Sequence, residues 1–360
     1  MTLVPAADRA ELGPRYGAFV IVVILNWNNL ADTLECAESV LRSDYPRLAV
    51  WVVDNGSDED PSDRLGEHCP TVRVIRLANN LGYSGGNNVG LKLAMDHEAQ
   101  YVLLLNNDAT VAPDTITRLV TAMEADSRIG MATPRVFFYD RPAEVYWDGG
   151  MIDWTTGLTP HSSKDLPRSG EILSSEWLDG CCLFVRLAAL HDVGLLDERY
   201  FLYYEDAEWT VRASRRGWVN AVVLDASARH KVSRSTGSLS GPLASFYFPR
   251  NRYLLLRTHG PLRTHWAPRL FYALNAYGDY RLRQSSRESR RAVLEAYWSL
   301  VRNKWGAHAP CRHPRLLALA DYLLLGVTAI GRNTHRLLRA LAPGRVRAKL
   351  ANTKRSSGHS

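Results

Sequence analysis

Glu205, Asp206 and Glu208 place three carboxylates within four positions, directly after the aromatic run Tyr200-Phe201-Leu202-Tyr203-Tyr204. A helical pattern begins there and runs to Gly217, a stop residue just past a basic last turn. Unpaired N–H groups at a helix start hold a carboxylate ionised. An ionised carboxylate can accept a proton or hold a hard metal ion; capping of the helix is the plain alternative. Upstream, Asp54-Asn55-Gly56-Ser57-Asp58 offers a carboxylate that could bond a base edge or a ribose hydroxyl, although Asn-Gly also suits a tight turn. The stretch from Asn80 to Gly90 is a glycine-rich loop opening a helix, which lets backbone approach a phosphate-bearing ligand. It lacks the dinucleotide G-x-G-x-x-G spacing and the lysine of a P-loop. Asn106-Asn107-Asp108 ends an apolar run with one anion, and a divalent ion bridging a diphosphate needs only one or two protein oxygens. His230, after another apolar run, could add a nitrogen ligand or serve the core.

The elements that must position these residues alternate. Residues 19–25, 49–53, 72–77 and 101–105 read as strands, and 30–41, 87–96 and 113–125 as helices. The near-continuous Val, Ile and Leu content of the strands suits a mainly parallel sheet covered on both faces. Polar residues follow each strand: Asn26-Trp27-Asn28-Asn29, the Asp54 cluster, Asn79-Asn80 and Asn106-Asn107-Asp108. In open α/β sheets the ligand crevice lies beyond the carboxyl ends of the strands, so these four loops should share one rim.

The remainder of the chain bounds the setting. The 360 residues allow one large α/β domain with an appendage, and 46% hydrophobic with 22% charged residues is ordinary for a globular chain. The net charge of +7 lies largely late, within 281–291 and 345–355, which fits an acidic membrane surface or a solvated face. No helix-turn-helix or aromatic-basic RNA motif points to nucleic acid. Five cysteines without metal-ligand spacing argue for a reducing compartment. The apolar stretch 18–25 is too short for a signal sequence or a span, so the expected site of work is cytoplasmic, with peripheral contact at the inner face of the plasma membrane left open. Residues 140–175 read as a loop-dominated insert with short strands. Beyond residue 236 the segments 246–259, 269–283, 287–304 and 315–341 read as Arg-studded helices, either an interfacial pair or a cap on the main domain.

In order along the chain, segments 20–28, 52–57, 80–90, 103–108, 176–185, 194–217 and 229–235 resemble the inverting glycosyltransferases of family 2, which have the GT-A fold. The rhamnosyl- and galactofuranosyl-transferase-like members are closest in pattern. The resemblance implies a GT-A domain over residues 17–240, followed by a helical C-terminal region over 241–341 and a basic disordered tail over 342–360. Position by position, it implies that Asp206 is the catalytic base and that Asp108 and His230 hold Mg²⁺ or Mn²⁺. Asn26, Asp54, Asn80, Gly86, Asn88, Asn106 and Asn107 would contact the donor, and Trp177, Asp179, Glu205 and Glu208 would border the acceptor. Two positions depart from the family pattern: Asn106 opens the D-x-D-type metal motif as a neutral ligand, and Glu208 stands where an Asp is usual. Asn251-Arg252 resembles an Asn-Arg pair common in the subgroup, without an assigned role.

The implied reaction moves a sugar from a nucleotide-diphosphate donor, with dTDP-L-rhamnose leading and UDP-sugars open, to a hydroxyl of a glycan, lipid-linked or small-molecule acceptor. Bacterial surface polysaccharide synthesis is the implied setting. Two other classes stay open on the residues alone. A sugar-nucleotide-forming nucleotidyltransferase would show glycine and a cation after the first strand, where Asn26-Trp27-Asn28-Asn29 stands. A non-catalytic membrane scaffold would bind no nucleotide.

Overall fold

A computed structural model describes residues 17–161, 172–232, 241–260, 284 and 286–308. Three strands of unbroken apolar sequence form its centre: β1 (Val20–Asn26), β2 (Leu48–Asp54) and β4 (Tyr101–Asn106). With β3 (Arg73–Arg76) they make four adjacent parallel strands in the order β3-β2-β1-β4. The register aligns Asn26 with Asp54 and Leu25 with Asn106, so each strand reaches its polar terminus at the same level. The rim expected from the sequence is therefore present.

Alternation along β1 decides what covers each face. Val23 and Leu25 meet α3 (Gly82–Met95), whereas Asn26 meets Thr33 of α1 (Leu30–Leu41), so the two helices lie on opposite faces. The glycine-rich stretch is not a loop ahead of a helix: it is the first two turns of α3, which starts five residues before the predicted Asn87. The reason is steric. An added Cβ would lie 2.5 Å from Leu25 Cδ1 at Gly86 and 2.4 Å from Val23 Cγ1 at Gly90, so these glycines let the helix sit directly on β1.

Beyond β4 the sheet continues through β9 (Cys182–Arg186), β6 (Ile129–Phe138), β10 (Val219–His230) and β5 (Ala109–Val111). β9 runs against both neighbours, which returns β6 and β10 to the direction of β1. The short β7 (Val145–Trp147) and β8 (Ile172–Ser174) attach to β6 and β10 and carry the insert. β10 extends well past the apolar run that precedes His230 in the sequence, because a register shift between Val223 and Ser227 absorbs the polar interruption and pairing continues to His230. Helices α2 (Ser62–His68), α4 (Thr115–Ala125), α5 (Leu187–Val193) and α6 (Glu205–Arg215) complete this part of the fold.

α7 (Pro242–His259) and α8 (Arg287–Val301) match two of the predicted C-terminal helices and pack together around Phe246, Tyr247, Val293 and Tyr297. The helices predicted at 269–283 and 315–341 and the tail at 342–360 lie outside the described residues. Among the described residues, no helix is long and apolar enough to cross a membrane. Cys36, Cys69, Cys181 and Cys182 are buried free thiols.

The contact of α3 with β1 gives a direct test. Gly90→Ala should lower stability by about 1–3 kcal/mol through overpacking against Val23, read as a reduced denaturant midpoint with an unchanged slope.

Candidate active site

Two chain segments far apart in sequence meet at the end of β10. Its antiparallel pairing with β5 aligns His230 with Ala109, and Lys231 N–H donates to the Asp108 carbonyl at 3.0 Å. His230 Nε2 consequently lies 3.1 Å from Asp108 Oδ1, with both side chains nearly buried. Burial pushes the imidazole pKa down, but the hydrogen bond and charge of Asp108 outweigh it, so His230 is raised from its ordinary value. Lys231 turns the other way, to Asp32 and Glu35 of α1, each at 2.5 Å, and so ties the strand end to α1.

α6 presents the carboxylates after an unusual approach. Phe201, Tyr203 and Tyr204 have φ of 63°, 67° and 71°, a left-handed region that costs a non-glycine residue about 1–2 kcal/mol. Asn251 of α7 holds this loop: its Nδ2 donates to the carbonyls of Tyr200, Leu202 and Tyr203 at 2.7–2.9 Å. The neighbouring buried Arg250 donates to the carbonyls of Arg199 and Tyr200. The Asn-Arg pair singled out in the sequence thus contributes Asn251 as the clamp of the loop, with Arg250 beside it.

The loop delivers Asp206 into a cavity of about 410 Å³ that Asp108 and His230 also line. Asp206 Oδ2 accepts from Gly180 N–H at 2.9 Å, and Oδ1 from its neighbour Ala207 N–H at 2.7 Å. Burial, then the negative charge of Asp179, push its carboxyl up to about 7 against the pull of those amides. Burial and the charge of Asp206 raise Glu205 well above the carboxylate range. Four buried atoms of cavity-lining residues have no hydrogen-bond partner: Asn106 Oδ1, Trp177 Nε1, Glu205 Oε2 and His230 Nδ1. Orphaned polar atoms are rare in folded interiors, and their grouping around one cavity is what a polar ligand would satisfy.

The structure brings most of the predicted residues together. Asn80, Asn106, Asn107, Asp108, Trp177, Asp179, Glu205, Asp206 and His230 line the cavity. Asp54 is fully buried beneath the rim; its Oδ1 accepts from Asn26 Nδ2 and Ser57 Oγ, while Oδ2 has no hydrogen bond and lies 3.6 Å from Arg76. Asn55 ties the Asp54 turn to the next loop, donating to Asn80 Oδ1 and the Gly82 carbonyl at 3.0 Å. Besides Asp54, four predicted residues do not line this cavity. Asn26 braces Asp54, and Gly86 is packed against Leu25 and Asn55. Asn88 is occupied with Leu196 backbone and Glu198, fixing α3 to the segment after α5. Glu208 is directed elsewhere, bonding Arg212 at 2.9 Å and His259 of α7 at 2.9 Å. Burial would raise its carboxyl, but these partners hold it below its usual value.

Sequence reasoning missed an aromatic wall. Tyr146, Phe201, Tyr203 and Phe248 line the cavity, with Tyr203 and Phe248 stacked at 4.4 Å. Tyr83 and Gly180 also line it. Tyr83 stood inside the glycine-rich stretch, whereas nothing local marked Phe248, 44 and 45 residues beyond the Tyr204 and Tyr203 rings it packs against.

The sheet, with its catalytic-type rim, defines a GT-A glycosyltransferase fold. Likeness to solved structures agrees: GalNAc-T7 with UDP, GalNAc and Mn²⁺ aligns at a TM-score of 0.57 and 16% identity over 80% of this chain, although the chain spans 55% of that structure. The mannosyltransferase PcManGT from Pyrobaculum calidifontis, with GDP-Man and Mn²⁺, aligns at 0.50 and 18% identity over 87% of this chain and 82% of the other. Residues 21–175 match the family described as Glycosyl transferase family 2, so the chain contains a domain of that family. An N-acetylglucosaminyl-diphospho-decaprenol L-rhamnosyltransferase of Mycobacterium tuberculosis strain H37Rv is 29% identical over 69% of this chain and 88% of its own. The dTDP-rhamnosyl transferase RfbF of Shigella flexneri is 25% identical over 68% and 82%. The protein is a glycosyltransferase, which decides between the classes the residues alone left open. Asp206 and His230 fall beyond the matched 21–175, so their roles rest on the geometry.

Glu208 gives the test of a residue that the motif and the structure place differently. Glu208→Ala leaves Arg212 and His259 facing a void and should cost about 3–5 kcal/mol of stability. Thermal unfolding should show this, while donor affinity at a temperature where the variant is folded stays near that of the parent.

Proposed function

We propose that the protein is a metal-dependent inverting glycosyltransferase that moves a sugar from a nucleotide-diphosphate donor to an acceptor hydroxyl, with Asp206 as the base. The observation that carries this reading is one cavity holding Asp206 together with the Asp108–His230 pair. The rhamnosyltransferase names of two relatives support dTDP-L-rhamnose as the leading donor. They also support a glycan or lipid-linked acceptor in bacterial surface polysaccharide assembly.

Asp206 suits a base that must be ionised near neutrality, because its burial beside Asp179 brings its pKa close to working pH. Two backbone amides fix the direction in which it meets the incoming hydroxyl. A single displacement then inverts the anomeric centre, with the acceptor proton passing to Asp206 as the sugar–phosphate bond breaks. Asp108 and His230 offer an oxygen and a nitrogen donor 3.1 Å apart, a set suited to Mg²⁺ or Mn²⁺. Among the described residues no cluster of three or more such groups occurs. When bound, the ion supplies charge neutralisation of the departing pyrophosphate. The orphaned Asn106 Oδ1 and the ring of asparagines on the rim bind and orient the donor, and the aromatic wall excludes water and seats the acceptor.

Nucleotide sugars incubated with purified protein and Mn²⁺ or Mg²⁺ test the reading. Slow hydrolysis of one donor, abolished by a chelator, is the expected result; no turnover of any donor with or without added acceptor counts against it. Asp206→Asn should lower turnover by about 10²–10⁴-fold. In the parent, kcat/KM should fall as pH drops through about 7, where Asp206 gains its proton. Asp108→Ala should reduce Mn²⁺-dependent nucleotide affinity to the level the parent shows with chelator, measured by calorimetry.

A further inference from the structure

Tyr83 is a cavity-lining residue whose chemistry the reaction above does not use. It sits in the first turn of α3, on the donor side, yet its hydroxyl crosses to the opposite wall and donates to the Gly180 carbonyl at 2.7 Å. Gly180 is also the residue whose N–H holds Asp206 Oδ2 at 2.9 Å. The two bonds grip one residue from opposite sides, and there is no slack between them. A Cβ built on Gly180 would lie 3.1 Å from Tyr83 Oη and 3.2 Å from Asp206 Cβ. The next amide, Cys181 N–H, is held by Asp179 Oδ1 at 2.8 Å, so both flanking carboxylates are tied to the same short turn.

The Tyr83 backbone makes the same crossing. Its N–H donates to the Phe201 carbonyl at 2.6 Å, inside the left-handed loop that leads to Asp206. One residue of the donor-side helix therefore touches both supports of the base: the turn that receives its carboxylate and the loop that delivers it. Burial, reinforced by the charges of Glu205 and Asp206, keeps the phenol protonated, so it remains a donor.

We infer that Tyr83 is a positioning residue that couples the donor-side helix α3 to the catalytic base through the backbone of Gly180. This rests on the reading of Asp206 as the base. The Gly180 carbonyl and N–H belong to successive peptide planes that meet at a Cα without a side chain, so the Tyr83 bond, with the Cys181 amide held by Asp179, restrains the backbone from which the N–H reaches Asp206. A donor seated against the start of α3 would in this way bear on the carboxylate without touching it.

Tyr83→Phe removes one oxygen and keeps the ring and the backbone bond to Phe201. Turnover of dTDP-L-rhamnose, or of whichever donor is hydrolysed in the Mn²⁺ assay, should fall about tenfold in kcat, in line with the sensitivity of catalysis to small misplacement. KM for that donor should stay within about twofold, because uniform binding is untouched. The groups that face Asp206 are Glu205, Asp179, Tyr83, Cys181 and Tyr146. With the Gly180 amide less well aimed, the acid limb of kcat/KM should move to higher pH, since that amide favours the ionised carboxylate. Gly180→Ala, with Tyr83 intact, should lower kcat in the same manner, and the double variant should be no worse than the poorer single one. A Tyr83→Phe enzyme with reduced thermal stability but parental kcat and an unmoved acid limb would overturn the coupling. Asp206→Asn, assayed in parallel, separates the two claims. If it abolishes turnover while Tyr83→Phe is parental, the coupling alone fails; if it turns over normally, the base assignment fails first.

Discussion

The antiparallel pairing of β10 with β5 makes a site out of residues that the chain keeps 122 positions apart. Without it, Asp108 would end β4 as one more polar rim residue, and His230 would trail from a strand end on the far side of the sheet. The pairing works because β10 survives its own polar interruption, bending at Val223–Ser227 and continuing to His230. Lys231, one residue later, is neutralised by Asp32 and Glu35, so the same strand end is pinned to α1 as well. Imidazole and carboxylate are thereby held at hydrogen-bonding distance by backbone geometry, before any ligand contributes.

On the opposite wall the constraint is conformational. Three non-glycine residues in the left-handed region precede α6, a strain of a few kcal/mol that α7 offsets with the amide of Asn251 and the guanidinium of Arg250. The reward is placement. Asp206 reaches the cavity with amides on both oxygens, while burial and the negative charge of Asp179 keep it weakly acidic. Glu205 and Glu208, three residues apart on one helix, have opposite fates: Glu205 is a carboxyl whose burial favours the proton, Glu208 an ionised partner of Arg212 and His259.

Much of this was legible in the sequence because strand ends announce themselves. Apolar runs stopping at Asn26, Asp54 and Asn106 gave the rim, and the family resemblance supplied the pairing of Asp108 with His230. What was not legible had no local signature. β9 has the apolar composition of the central strands but runs antiparallel between β4 and β6, a direction set by topology alone. The glycines of α3 look like loop residues until β1 is placed beneath them. Glu208 shows one of its partners at i+4, Arg212, but the other, His259, comes from a helix 51 residues away. Phe248 and Asn251 likewise act on the site from α7, across a gap in sequence that no periodicity bridges.

That last feature sets a limit on how this enzyme can be recombined with its relatives. The carbonyls of the 200–204 loop are satisfied by α7, so the segment after residue 241 is a buttress of the reaction centre as much as a C-terminal extension. A chimera joined just after β10 would inherit Asp206 and its loop from one parent and their support from another. Exchange of acceptor preference by domain swapping should therefore carry α7 together with the loop it grips, treating the two as a single inherited block.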